Sequence, residues 1–211
     1  MKIYRVLLVE DKTIYKLYFE QLLHASGRYE LVGTEANTED ALELCGTTSV
    51  DLIITEAADR TGKTCFQALE KCRKEYSHIR SVVITDSADS SFMERAEENG
   101  ADSFWYAEDR CVSLLSVLDR TMEGKSVFPD RPPVVEIGRT NSRNFSAKEL
   151  QIIGEVAKGY SNKEIAESLQ ISHYTVRDYV KGMLDKTHLK SRTELAVEAV
   201  KNGLIFPEKR V

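Results

Sequence analysis

Through the first 122 residues, short apolar runs alternate with amphipathic segments of helical period. The runs at 5–9, 30–34, 51–55, 81–85 and 102–106 have the length of buried strands, and the segments at 13–25, 38–45, 63–76, 89–99 and 109–122 repeat as helices do. A strand followed each time by a helix predicts parallel neighbours, because parallel strands need a crossover between them. The expected fold class is therefore α/β: a five-stranded parallel sheet, doubly wound, with its functional groups at the carboxyl ends of the strands.

The pattern changes after residue 122. Residues 123–142 contain Pro129, Pro132 and Pro133, three of the four prolines in the chain. Proline removes a backbone donor and restricts the residue before it, so this stretch reads as a linker between two domains, 1–122 and 143–211. From 143 onward the pattern is helical throughout, with helices expected at 147–158, 162–169, 173–187 and 192–202, a small all-α four-helix domain. Ser146 with Glu149, Ser161 with Glu164 and Ser191 with Glu194 are S-x-x-E pairs, which predict capping boxes at three of the starts. Gly159 and Gly203 fall where helix stops do. Only Gln170, Ile171 and Ser172 separate the second helix from the third, the spacing of a helix-turn-helix.

Composition narrows the class. The 211 residues are 42% hydrophobic and 30% charged, ordinary values for globular domains, so wholesale disorder is excluded. No apolar stretch approaches the ~18–20 residues of a membrane span, and the chain opens directly into a strand-like run, so a cytoplasmic protein with no membrane partner is expected. Cys45, Cys65, Cys72 and Cys111 show no metal-ligand spacing and lie within apolar patterns, which fits a reducing compartment. His24, His78, His173 and His188 form no ligand constellation and are expected at the surface. The sequence has neither a phosphate-binding glycine loop nor a nucleophile elbow, so no enzyme is expected. The net charge of -5 would argue against a nucleic-acid partner if it were uniform. It is not: residues 1–142 carry 17 basic against 25 acidic side chains, whereas 143–211 carry 12 against 9.

On the third C-terminal helix Val176, Val180, Met183, Leu184 and Thr187 share one face, and Tyr174, Arg177, Asp178, Lys181 and Asp185 share the other. An arginine and a lysine four residues apart near a helix start suit entry into the major groove, where arginine can grip guanine O6 and N7 together. The stretch from Phe145 to Ile205, with Leu150, Ala157-Lys-Gly159, Ser161-Asn-Lys-Glu-Ile-Ala166, Thr175-Val-Arg177, Lys186 and Leu189-Lys-Ser-Arg192, resembles the LuxR-type DNA-binding domain. The resemblance implies a third helix that reads DNA and a fourth that supplies a dimer face. It implies Arg177, Asp178 and Lys181 in the groove of double-stranded DNA, and Lys163, Thr175, Lys190 and Arg192 on phosphates. Two positions depart from its pattern: Tyr179 stands where a histidine is common, and Asp178 where an apolar or basic residue is usual. Asp178 either accepts from a cytosine amino group or holds Arg177 and Lys181 in place.

Residues 1–122 resemble a receiver domain, flavodoxin-like in fold, and the whole chain resembles a response regulator of the NarL/FixJ type. The residues that carry this are Val6-Leu-Leu-Val-Glu-Asp11, Asp51-Leu-Ile-Ile-Thr-Glu56, Thr85 and Gly100-Ala-Asp-Ser-Phe104. The resemblance implies magnesium at Glu10 and Asp11, a phosphoacceptor at position 56, switch residues at Thr85 and Phe104, and a phosphate-pairing lysine at position 107. Three places are altered: Glu56 replaces the acceptor aspartate, Ala107 the lysine, and Asp86 a small residue. Glutamate is one methylene longer, and without the lysine a main source of charge neutralisation is gone. The domain is therefore expected to act independently of aspartyl phosphorylation. Glu10, Asp11, Glu56 and Asp86 would repel one another, by about 4 kcal/mol for a pair ~4 Å apart at an effective dielectric near 20. A basic side chain, Lys12 or Arg60, or a protonated carboxyl is the favoured relief, ahead of a divalent cation such as magnesium, so no cofactor is expected.

These readings converge on a DNA-binding transcriptional regulator acting as a homodimer. The alternatives are a receiver gated by a protein or small-molecule modulator and, less well supported, a metal-assisted phosphohydrolase, which the missing aspartate at position 56 disfavours.

Overall fold

In a computed structural model the chain is described over residues 2–59, 61–107 and 111–206. It folds as two compact units that divide between Arg131 and Pro132, within the stretch expected as a linker.

The first unit is the expected parallel sheet. Its strands are β1 (Tyr4–Val9), β2 (Tyr29–Glu35), β3 (Leu52–Glu56), β4 (Arg80–Thr85) and β5 (Ser103–Tyr106), in the order β2-β1-β3-β4-β5. The helices are α1 (Thr13–Ser26), α2 (Thr38–Thr47), α3 (Phe66–Glu75), α4 (Ser90–Glu98) and α5 (Leu114–Met122). Strand residues alternate between two cores, as the two-residue period requires. Val6, Leu8, Leu52, Ile54, Val82, Ile84 and Trp105 pack against Phe19 and Leu23 of α1 and Leu114, Val117 and Leu118 of α5. Leu7, Val9 and Ile53 turn the other way, toward Ala41, Cys45, Cys72 and Ile79. The order reverses beside β1, so the carboxyl ends of β1 and β3 open onto a crevice.

Two helices start later than their periodicity suggests. Asp59 Oδ1 accepts from the backbone of Thr61 and Lys63, forming a turn that delays α3 to Phe66. Ser113 caps α5 by accepting from Ser116 N, so residues 111–113 precede the helix. Cys45, Cys65 and Cys72 are buried, but Cys111 is exposed, contrary to its apolar sequence context. All four histidines are exposed.

The proline-bearing stretch is less of a tether than its composition suggests. Val127 pairs in parallel with Ser103, its carbonyl accepting from Phe104 N at 2.8 Å, which covers the outer edge of β5. Glu136–Ile137 (β6) and Thr140–Asn141 (β7) form a hairpin in the second unit, where Ile137 is fully buried. Gly138, in the hairpin turn, has φ +58°, and a Cβ there would lie 2.2 Å from the Thr187 carbonyl oxygen.

The second unit contains α6 (Ala147–Ala157), α7 (Asn162–Ser168), α8 (His173–Thr187) and α9 (Arg192–Lys201) around one core. Ser146 with Glu149 and Ser161 with Glu164 form complete capping boxes. The third expected box is only half made: Ser191 accepts from Glu194 N, while the Glu194 carboxylate reaches one residue further back, to Lys190 N at 2.7 Å. Gln170, in the turn between α7 and α8, has φ +52°. Among the described residues no helix is long and apolar enough to cross a membrane.

Lys186 joins the end of α8 to the start of α6. Its ammonium donates to both Glu149 oxygens, at 2.8 and 3.0 Å, and to the Asn144 carbonyl at 2.8 Å, above the Phe145 ring. Burial opposes the charge on Glu149, but the bonds from Lys186 and Ser146 outweigh it and hold the carboxyl below its ordinary value. The carboxylate thus stabilises the fold fully above pH 4.5, and that contribution fades as the pH falls through the lowered folded value. Urea titrations of the full chain should show the second unit weakened by about 1–3 kcal/mol in Lys186→Ala, with a shallower loss of stability on acidification in Glu149→Gln than in wild type. Gly138→Ala should weaken the same unit by about 1–3 kcal/mol, through both the positive φ and the clash with the Thr187 carbonyl; an unchanged midpoint would contradict this packing.

Candidate functional site

The ends of β1, β3 and β4 gather the acidic residues. Glu10 and Asp11 follow β1, Glu56 ends β3, and Asp86 follows Thr85 at the end of β4. Ile54 and Glu56 lie on the same side of β3, so Glu56 faces the α1 side of the sheet. The sheet fixes these positions through its backbone: Glu10 N donates to Glu35 O at 2.9 Å and Ala57 N to Ile84 O at 2.8 Å. Glu10 is only 2% exposed, whereas Asp86 is exposed. Among the described residues, Glu10 Oε2 and Glu56 Oε2 are buried without a hydrogen-bond partner.

Lys12 supplies the countercharge. Its backbone N–H donates to Glu10 Oε1 at 2.8 Å, anchoring the start of α1, and its Nζ lies 2.6 Å from Glu56 Oε1 and 3.2 Å from Asp86 Oδ2. The same ammonium sits 5.0 Å from the Tyr15 ring centroid. Burial works against the charge on Lys12, yet Glu56 and Asp86 outweigh it and raise its affinity for the proton. Glu56 behaves differently from an ordinary ion-pair acid. Burial pushes its carboxyl up to about 7, the charges of Glu10 and Asp86 push the same way, and Lys12 only partly resists. Of the two favoured forms of relief, a basic side chain or a proton, the basic side chain is in place at Glu56, as Lys12. Arg60, the other basic residue considered, lies outside the described residues.

The donor set also suits a hard cation. Glu10, Asp11 and Glu56 each offer an oxygen within 4.8 Å of the others, and hard cations take oxygen ligands. A magnesium ion would be held by these three carboxylates and would supply neutralising charge beyond the single unit of Lys12.

Thr85 and Phe104 are 4% and 0% exposed, and Phe104 packs edge-on against Tyr106 with ring centroids 5.0 Å apart. Ala107 is exposed, its N–H donating to Thr85 O at 2.8 Å. Next to this acidic floor, bounded by Tyr15, Tyr18, Phe19, Ile84, Trp105 and Ala107, is a cavity of about 340 Å³. Its walls come from α1 and from the ends of β4 and β5, which meet only in the folded chain, so no single segment of the sequence announces it.

In the second unit α8 presents Tyr174, Arg177, Asp178 and Lys181, all exposed, while Val176, Val180, Met183 and Thr187 are buried. Arg177 Nε and Nη2 both donate to Asp178 Oδ1 at 3.2 Å, and the guanidinium lies 5.3 Å from the Tyr174 ring centroid. Of the expected phosphate contacts, Lys163 and Lys190 are exposed. Thr175 and Arg192 have internal partners: the Thr175 hydroxyl meets Ser172 Oγ at 2.8 Å, and Arg192 donates to Asn162 Oδ1 at 2.8 Å and to the Tyr160 carbonyl. Tyr179, at the position where a histidine is common, packs against the core. Tyr174, expected on this outer face, is 66% exposed at the helix start.

Residues 143–199 match the family described as GerE, bacterial regulatory proteins, luxR family. The response regulator protein VraR of Staphylococcus epidermidis is 27% identical over 208 residues, covering 95% of this chain and 98% of its own. VraR of Staphylococcus aureus is 26% identical over the same coverage. Among solved structures, the two-component response regulator RcsB in complex with DNA aligns with a TM-score of 0.60 at 15% identity, over 94% of this chain and 98% of that one. RcsB from Salmonella enterica serovar Typhimurium, bound to promoter rprA with a beryllofluoride phosphomimetic, gives 0.57 at 15% identity over 92% and 97%. With a luxR-family match in its second unit behind a five-stranded parallel unit, and with response regulators similar to it along nearly their whole length, this chain has the architecture of a NarL/FixJ-type response regulator, a receiver fold followed by a LuxR-type domain.

Proposed function

We propose that this regulator works in the cytoplasm as a homodimer on a two-half-site operator, and that its receiver is set without aspartyl phosphorylation. The observation that carries the second part is the position of Lys12: its ammonium sits between Glu56 and Asp86, where incoming phosphoryl charge would otherwise have to be neutralised. Position 56 holds no aspartate, and position 107 offers a methyl group in place of a cation. Glu56 is a poor standing mimic of a phosphorylated aspartate. It brings about one charge against roughly 1.5–2, and that charge is paired with Lys12 and weakened by burial.

On the DNA side, Arg177 and Lys181 face the groove, with Lys163 and Lys190 toward phosphates. Asp178 holds the Arg177 guanidinium through two donors, which favours its positioning role over direct reading of cytosine. Arg192 and Thr175 brace the helix starts, a role that their internal partners support. Pairing two chains raises affinity through effective concentration without new base contacts.

Incubation with acetyl phosphate, followed by intact-mass measurement, should leave the chain unmodified, and DNA affinity should not change on adding a phosphodonor or beryllofluoride. A stable phosphoprotein or tight beryllofluoride binding would overturn the phosphorylation-independent reading. In selection from genomic DNA at fixed salt, Arg177→Ala should lose about 1–3 kcal/mol of operator affinity and tolerate more sequences; a uniform loss across all sequences would make Arg177 a phosphate contact instead.

A further inference from the structure

The cavity beside α1 has two chemically different ends. Its floor is acidic, with Glu10 and Glu56, and Asp86 stands at its mouth, while Tyr18, Phe19, Ile84 and Trp105 line the rest. Its volume of about 340 Å³ lies within the range of small-molecule sites, roughly 300–1,000 Å³. Glu10 is 98% buried at this floor, and its Oε2 has no hydrogen-bond partner; the same holds for Glu56 Oε2. Buried polar atoms are ordinarily satisfied, so two such oxygens beside one cavity point to a missing donor. Among the described residues the Lys12 ammonium meets Glu56 and Asp86, while Glu10 takes only the backbone N–H of Lys12.

Lys12 also shows what the floor accepts. An alkylammonium placed between two carboxylates and close to the Tyr15 ring is the arrangement that the chain makes with its own side chain. The backbone of Lys12 is fixed by its bond to Glu10, but its side chain is a flexible stem, 29% exposed, whose contact with Asp86 is at the mouth. A ligand with the same head group and an apolar body would exchange for Lys12 at the floor and bury its body against the aromatic wall, which Lys12 does not fill.

We propose that the receiver binds a small amphipathic cation, an arylalkylammonium, in this cavity, with its ammonium displacing Lys12 from Glu56 and Asp86 and its ring seated against Tyr18, Phe19 and Trp105. This rests on the reading that the receiver is set by something other than a phosphoryl group, and names the site and the chemistry that would set it. An exposed aromatic face on α1 and a carboxylate floor give the ligand two anchors, one apolar and one charged, so neither a neutral nor an anionic compound of the same shape is equivalent.

Trp105 is the only tryptophan of the chain and lines the cavity, so its emission reports occupancy directly. With the full chain at fixed salt, phenethylammonium should change that emission saturably, and phenylethanol and phenylpropanoate should bind at least about tenfold more weakly. Asp86→Asn should weaken phenethylammonium, and Lys12→Met, which removes the competitor, should tighten it. Equal binding of all three probes, no saturable change with any, or weaker binding in Lys12→Met would overturn the proposal. Asp86 is exposed at the mouth, so its substitution leaves a folded protein to test if Lys12→Met does not fold. Failure here leaves the acetyl phosphate result untouched, since that outcome is read from the mass of the protein alone.

Discussion

The ion pair between Lys12 and Glu56 is the constraint around which the receiver is arranged. Four acidic side chains stand at the carboxyl ends of neighbouring strands, and parallel pairing fixes those ends within a few ångströms of each other. The sheet cannot relax their repulsion without losing register. One cation, brought in by the first turn of α1, lets the arrangement persist, and its reach to Asp86 spreads that charge over two of the four. The pair is partly buried, so each partner would be costly to leave alone. Loop, strand end and helix start are therefore tied together by one lysine stem.

The second unit solves a different problem. It has little surface to bury, so its helices are fixed at their ends as much as along their faces. Ser146 and Ser161 close capping boxes, Lys186 ties α8 back to α6, and Arg192 ties the start of α9 to the start of α7. The outcome is an α8 whose outer face carries no structural duty and is available to present Arg177 in a guanidinium orientation already chosen by Asp178 and Tyr174. Side-chain freedom that is lost before an encounter need not be lost during it.

Much of this was legible in the sequence because the relevant signals are local. Strand runs and helix periods placed every major element to within a few residues, and the Ser-to-Glu spacing placed the helix starts. Errors arose where side chains chose partners across a few residues. Glu194 prefers Lys190 N to the expected serine, and the Asp59 turn delays α3. Glu56, Asp86 and Ala107 could be placed at neighbouring strand ends because strand ends are countable. Lys12 could be named as a candidate, but its selection over other relief depends on α1 standing over β3, which is a matter of packing. The cavity was invisible for the same reason, and so was the burial of Ile137 in a stretch whose prolines suggested only a tether.

The cysteines carry one more consequence. Cys45, Cys65 and Cys72 are buried, and burial raises their thiols, to about 12 for Cys65 and Cys72, so the nucleophilic thiolate is almost absent at neutral pH. The three buried thiols of the receiver core are in this way insulated from electrophiles. Cys111 alone among the four is exposed, which gives the native chain a single accessible point for attaching a spectroscopic label, just ahead of α5, without altering any other residue.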